Sequence, residues 1–408
     1  MIHTRVEKYK IKKSDKYFPM LIDFCTKSKL LYNHANYIVR HEFIDNEKWV
    51  RYAELDKILK ADKEYPDYRN MPTAQSAQQI LRLLDKNWKS FFTSIKDWAK
   101  HKDKYLGRPK LPKYLKSGSQ YLLILTNQDC KIVDSKIRFP KVFCGFSICS
   151  KFLDKPNYKA FQQVRFIPRK NYITAEAVYT IDVPDICVQT ERYIGIDIGI
   201  NNLATVCNNF GASAFILNGK PVKSVNQYYN KTISHFKSVT KSVNNQDFSN
   251  RMRYMTSKRN AKIDDYMHKA SRKIIDFCIQ NQVSKIVIGQ NKEWKQSVNI
   301  GKRNNQHFVQ IPFARLISMI QYKAEEIGIA VVLTEESYTS GTSFIDNEDP
   351  VKENYNKSRR KSRGMFVSNN GIKINADLNG AYQILKKVFP IKWDRGCVLH
   401  PVVVAVWQ

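Results

Sequence analysis

"YIGIDIGINNLATV", residues 193–206, decides how the rest of this chain is read. It reads as an Ile-rich, buried β-strand that runs through a turn at 200–202 into a second strand. Asp197 sits in the middle of it. A carboxylate in such a run costs roughly several kcal/mol unless it is paired or bound to a metal. A turn cap or a lysine partner would satisfy one carboxylate. A metal requires further acidic side chains, so the neighbours of Asp197 in the fold carry the question.

Working outward toward the C-terminus, "NLATVC" and "ASAFIL" follow as strands two and three of a meander. A basic helical segment spans 224–282. Within it Ile263, Met267, Ala270, Ile274 and Cys278 share a face. "SKIVIG" (284–289) is a buried strand, "IPFARLISMIQYKAEEIG" a helix stopped by Gly328, and "IAVVLTEE" another buried strand. "NADLNGAYQILKKV" closes the series as a helix, with Leu378, Ala381, Leu385 and Val388 on one side. Three adjacent strands, then helix, strand, helix, strand, helix, is the order of an RNase H-like fold. Asp197 then lies on the central strand, the tips of the two parallel strands open nearby, and Asp377 occupies the first turn of the last helix. Such carboxylates repel one another without a cation. Two Mg²⁺ ions would relieve that repulsion, activate water and stabilise the leaving oxygen of a phosphodiester. Asp377 alone would equally suit the positive end of its helix.

Toward the N-terminus, "TRVEKYKI" (4–11) is a strand and helices follow. Phe24, Leu31, Ala35 and Ile38 recur at helical spacing. Over 73–100, Thr73 is an N-cap, and Ile80, Leu84, Trp88, Phe91, Ile95 and Trp98 form one core-facing stripe. "KHKDKYLGRPKLPKYLK" breaks that helix with Gly107, Pro109 and Pro112, as a solvated linker or a phosphate-binding strap. From 119 to 184 the signals are strands, among them "KIRFPKV" and "VRFIPRKNYITAEAVYTI", with a turn at 168–171. They suggest a small barrel or sandwich that the first strand joins, so the helices form an insertion.

The 408 residues hold 68 Lys and Arg against 37 Asp and Glu, a net charge of +31, which calls for a polyanionic partner. Aromatic residues, 12% of the chain and interleaved with the cations, suit unpaired bases. No apolar run reaches membrane-spanning length, and "MIHTRVEKYK" carries no secretory pattern. A cytoplasmic, nucleoid-associated protein of a bacterial or phage- or plasmid-borne element is expected, with no membrane partner. The eight cysteines include no CxxC, which predicts reduced thiols.

"YIGIDIGINNLAT" resembles the first RuvC motif of the TnpB family, the insertion-sequence-encoded, RNA-guided nucleases from which type V CRISPR effectors derive. "INADLNGAYQIL" resembles its third RuvC motif and "SYTSGTSF" the stretch before its zinc-binding insert. "LYNHANYI", "GRPKLPKY" and "IRFPK" resemble features of its N-terminal half. The resemblance implies a multidomain α+β and α/β chain. Residues 1–184 would be a wedge β-barrel (about 1–12 and 110–184) with a helical recognition insert (about 13–109). Residues 190–408 would be the RuvC nuclease domain. It further implies a guide RNA from the transposon end, double-stranded target DNA with a short adjacent motif, and a two-Mg²⁺ site.

Two departures from that pattern matter. The family's second catalytic glutamate belongs at the tip of the strand ending "IVI", where this chain has Gly289. Glu335 and Glu336, at the tip of the neighbouring strand, could reach the same metal, because paired strands lie about 5 Å apart. Glu293, in the loop, is the fallback. Adjacent residues face opposite ways, so one of the pair joins Asp197 and Asp377, with Glu335 preferred. The zinc-binding insert, about 338–372, lacks cysteine altogether, so no zinc is expected there. Its basic loop, with Arg359, Arg360, Lys361 and Arg363, is expected to bind nucleic acid, as are Arg108, Lys110, Lys113, Arg169, Lys170 and Arg272. An RNA-guided DNA endonuclease follows. A nuclease-dead RNA-guided DNA-binding protein, motivated by Gly289, and a general RNA-binding protein are the competing functions.

Overall fold

The computed structural model describes residues 2–184, 189–244, 248–291, 305–306, 309–362, 364–392, 394 and 396–407. The chain divides into two compact units, Met1–Asp182 and Val183–Gln408.

In the first unit, strand β1 (Ile2–Lys12) precedes helices α1 (Phe18–Asn46), α2 (Tyr52–Ala61) and α3 (Ala74–Lys100). Strands β2 (Leu123–Thr126), β3 (Lys131–Val133), β4 (Lys136–Arg138), β5 (Ser147–Cys149), β6 (Tyr158–Arg169) and β7 (Tyr172–Asp182) follow. β1 pairs with β7 along its whole length, Ile2 opposite Asp182 and Lys12 opposite Tyr172. The helices therefore separate partners of one sheet, of order β1-β7-β6-β2. β3, β4 and β5 form a second sheet. Among the described residues these two sheets are open and no barrel closes, unlike the barrel the resemblance implies.

Thr73 caps α3 through a reciprocal pair. Ser76 N donates to Thr73 Oγ1 (3.0 Å) and Thr73 N to Ser76 Oγ (3.2 Å). The helical stripe splits in two. Ile80, Leu84 and Trp88 are fully buried, whereas Phe91, Ile95 and Trp98 are only half-buried. The spacing puts all six residues on one face, but the core beneath that face ends after Trp88.

The second unit holds β8 (Tyr193–Asp197), β9 (Asn202–Asn208), β10 (Phe215–Asn218), α4 (Lys220–Asn244), α5 (Asn250–Gln280), β11 (Lys285–Gly289), α6 (Phe313–Glu325) and β12 (Ala330–Thr334). The hairpin β13 (Met365–Val367) and β14 (Lys373–Asn375), helix α7 (Ala376–Lys386) and β15 (Val402–Val404) complete it. The sheet order is β12-β11-β8-β9-β10-β15. β8, β9 and β10 form an antiparallel meander, and β11 and β12 run parallel to β8. The sixth strand, from the "VVV" near the C-terminus, runs parallel to β10 and has no counterpart in the sequence-based reading.

Alternation along β8 divides the unit into two cores. Ile194 and Ile196 pack with Ile263, Met267 and Ile274 of α5 and with Leu316 and Ile320 of α6. On the opposite face, Val287 and Cys207 pack with Leu378, Ala381 and Leu385 of α7. Gly195 lets α7 lie directly on β8: a Cβ there would come 2.5 Å from the carbonyl oxygen of Ala381. Asp197, two residues further on, faces the same side as Gly195 and so meets the first turns of α7. The mixed α/β architecture is thus built to bring one strand tip and one helix start together.

Candidate active site

Asp197 ends β8, and its carboxylate lies against α7 at Gly380. A Cβ on Gly380 would stand 3.1 Å from Asp197 Oδ2. Asp377 is fixed one turn earlier by its N-cap. Asn375 Oδ1 accepts from the amides of Asp377 and Leu378, both at 3.1 Å. Asp377 Oδ2 accepts from Asn202 Nδ2 at 2.6 Å, and Asp377 Oδ1 accepts from Arg360 Nη2 at 2.9 Å. Asn202 thus orients the helix carboxylate from the first residue of β9. Asn201 instead supports the local backbone, where its carbonyl accepts from the Gly219 amide at 2.7 Å.

The third carboxylate is Glu336, and Gly289 explains how it fits. A Cβ at 289 would stand 2.6 Å from both Cγ and Oε1 of Glu336. The strand tip that carries a glutamate in the family pattern is bare here, and the side chain from the next strand fills the space. Asn291 Oδ1 holds the Glu336 amide at 2.9 Å, fixing the turn after β12. Glu335, the preferred ligand on sequence, faces away: it is exposed, and Ser337 Oγ donates to its Oε1 at 2.6 Å. This corrects the preference within the pair. The cause is alternation along an extended chain, whose phase the sequence leaves undetermined. Glu293 and Arg363 lie outside the described residues.

Asp197, Glu336 and Asp377 line one cavity of about 550 Å³ together with Asn202, Thr205 and Arg360. Burial holds the Asp197 carboxyl well above the usual range, the charges of Glu336 and Asp377 push it further, and Arg360 opposes them. Burial likewise raises Glu336 to about 7, with Lys387 acting against it. Glu336 Oε1 is buried and has no hydrogen-bond partner, and the same holds for Thr205 Oγ1. An unpartnered buried carboxylate oxygen beside two further carboxylates suits a hard divalent cation, which takes oxygen donors. Among the described residues no three acidic or imidazole groups stand close enough to hold an ion as they are arranged. Arg360 supplies the positive charge in this arrangement.

The other expected contacts divide. Arg359 is not a free cation: it pairs with Glu348 at 2.6 Å, and both side chains are largely buried. It anchors the 338–372 segment and leaves Arg360 to reach Asp377. Arg272 bonds Asp276 on its own helix at 2.8 Å. Arg169, Lys170 and Lys361 are exposed. Lys110 and Lys113, also exposed, belong to a strap pinned to α1. Asn33 exchanges two bonds with Leu115, and Arg40 Nη1 donates to the Pro112 carbonyl at 2.8 Å. Sequence reasoning missed Asn379, inside "NADLNGAYQ". It is fully buried, donates to the Thr342 carbonyl (2.8 Å) and accepts from the Phe344 amide (3.0 Å), tying "SYTSGTSF" to α7.

Three comparisons bear on this chain. A family profile described as a probable transposase of the OrfB IS605 type matches residues 176–295, and a Cas12f1-like TNB domain profile matches 313–384. The TnpB-like protein ORF457 of Acidianus two-tailed virus is 23% identical over 394 residues, covering 88% of this chain and 81% of the relative. Among solved structures, a Cas12f1–sgRNA–target DNA complex aligns over 93% of this chain and 98% of its own, at 14% identity and a TM-score of 0.37. The mini-RNA-guided endonuclease CRISPR-Cas_phi3 aligns over 94% and 92%, at 9% identity and a TM-score of 0.45. The first matched segment contains Asp197 and Gly289, the second Glu336 and Asp377, so the similarity to TnpB-like and Cas12f1-like proteins covers every carboxylate of this cavity.

Proposed function

We propose that the protein is an RNA-guided DNA endonuclease whose second unit is an RNase H-like RuvC domain. In this proposal Asp197, Glu336 and Asp377 hold two Mg²⁺ ions. The first unit would supply the wedge and helical recognition parts, the guide would be RNA from the transposon end, and the target would be double-stranded DNA beside a short motif. The observation that carries the proposal is that three carboxylates line one cavity, one of them with a buried oxygen that lacks a partner.

Bound divalent ions would supply an activated water and charge stabilisation at the leaving oxygen. The chain's own residues do the positioning. Asn202 and the Asn375 cap orient Asp377, Gly289 gives Glu336 its place, and Gly195 and Gly380 let α7 approach Asp197. Arg360 guards the acidic cluster and can exchange Asp377 for a backbone phosphate.

A nuclease-dead protein is the reading that Gly289 motivates. Glu336 in the space beside that glycine speaks against it. The test is purified protein with its transposon-end RNA, matched plasmid, Mg²⁺ and a randomised adjacent motif. Cleavage by the wild type and none by Asp197→Ala is expected. Guide-dependent binding without cleavage would establish the nuclease-dead alternative, and RNA binding without DNA preference the general RNA-binding one.

A further inference from the structure

Phe91 and Phe92, beyond Trp88 on α3, pack on the core with one side and stay half-buried. Phe91 meets the buried Trp88 edge-on, with ring centroids 6.0 Å apart, and Phe92 at 5.2 Å. The strap at 107–116 crosses above them, held to α1 by Asn33, Asn36 and Arg40. Two cavities remain beneath it. One, of about 530 Å³, is floored by Phe43, Phe91, Phe92 and Ile95. The other, of about 350 Å³, has a mixed lining, with Asn87, Ser90 and Ser94 beside Tyr32 and Phe91. Phe91, Lys110 and Lys113 line both. Arg40 and Arg108 rim the apolar cavity, and among the described residues no carboxylate lines either one.

An aromatic floor alone would suit many apolar groups. Cations around it, with no carboxylate in the lining, select a ligand with a flat face and a negative charge close by. A nucleobase with its own phosphates has that form, and in a duplex its face is already occupied by stacking. We infer that the strap and α3 form a pocket for one unpaired nucleotide. The base stacks on Phe91, and the flanking phosphates lie on Arg108, Lys110 and Lys113. This goes beyond the nuclease proposal and rests on the first unit alone, so neither depends on the other.

The test uses the full chain freed of nucleic acid, and a labelled 12-nucleotide single strand, as DNA and as RNA, beside a duplex of the same sequence. Binding is read by fluorescence anisotropy across a salt series. Stacking on one aromatic ring is worth about 5- to 150-fold in affinity. Phe91→Leu keeps the apolar volume and should weaken single-strand binding roughly 10-fold, leave the duplex unchanged, and be rescued by Phe91→Tyr. Lys110→Gln should weaken both ligands and reduce the salt slope by about one. Loss confined to RNA or to DNA identifies which strand uses the pocket. Equal loss on single strand and duplex for Phe91→Leu, or none on either, overturns the inference. Should Phe91→Leu fail to fold, Lys113→Gln with an unaltered salt slope would overturn it instead. Plasmid cleavage that survives either result keeps the nuclease proposal intact.

Discussion

Replacing Glu336 by Gln removes one buried charge and changes almost nothing else. Burial raises this carboxyl from 4.5 to about 7. At about 1.4 kcal/mol per pH unit, ionising it in the folded chain costs ~3 kcal/mol. Because the folded value lies above the unfolded one, the favourable contribution is complete below pH 4.5 and is lost as pH rises through 7. Wild type should therefore lose stability relative to Glu336→Gln between pH 5 and pH 8.5 in EDTA. At pH 5, just above the unfolded value, the variant should be ahead by only about 1 kcal/mol. At pH 8.5 the variant should be ahead by ~3 kcal/mol, or roughly 6–12 °C for a unit of this size. The Glu336 charge is one of those that raise Asp197, so the variant also ionises Asp197 more easily, which adds to its advantage at high pH. Adding Mg²⁺ at pH 8.5 should restore the wild type and not the variant, because the ion favours the ionised carboxylate. A difference that stays flat across this pH range would refute the claim that Glu336 is an unpaired buried acid.

Gly289→Ala should abolish cleavage and cost about 1–3 kcal/mol, since its Cβ would press on Glu336 and Ile384 at 2.6 Å; the double change Gly289→Glu with Glu336→Gly should recover part of the cleavage in the plasmid assay. Asn379→Ala leaves the Phe344 amide and the Thr342 carbonyl without their partner, so urea unfolding should show a loss of about 2–4 kcal/mol. Arg360→Gln releases a half-exposed cation from Asp377. Mn²⁺ affinity of the nucleic-acid-free protein, followed by titration, should rise by about 2- to 5-fold, in keeping with the modest worth of such pairs.

Much of the second unit is visible in the chain itself. Alternation and Ile-rich runs mark β8, β11 and β12, and the helical face of α5 is the one the spacing picks out. Asp197 and Asp377 stand out because a charge inside a buried strand and an acid at a helix start are both conspicuous. The choice between Glu335 and Glu336 is not visible. It depends on the phase of an extended segment past the end of β12, where one residue of slip reverses the facing side. Asn202 and Asn379 are ordinary polar residues until their partners, 175 and 35 positions away in the chain, are known. In the first unit the stripe on α3 has one periodicity but two environments. Helical spacing specifies a face and says nothing about where the covering layer stops. β15 is three residues long, too short for a pattern to separate it from the tail.

The most direct measurement is a count of bound Mn²⁺ by electron paramagnetic resonance on the guide-loaded protein with a non-cleavable target. Two ions per chain are expected for the wild type, with loss of at least one in each of Asp197→Ala, Glu336→Ala and Asp377→Ala, and no change in Glu335→Ala. Unaltered Mn²⁺ binding in the first three variants, or loss in the fourth alone, would contradict the account.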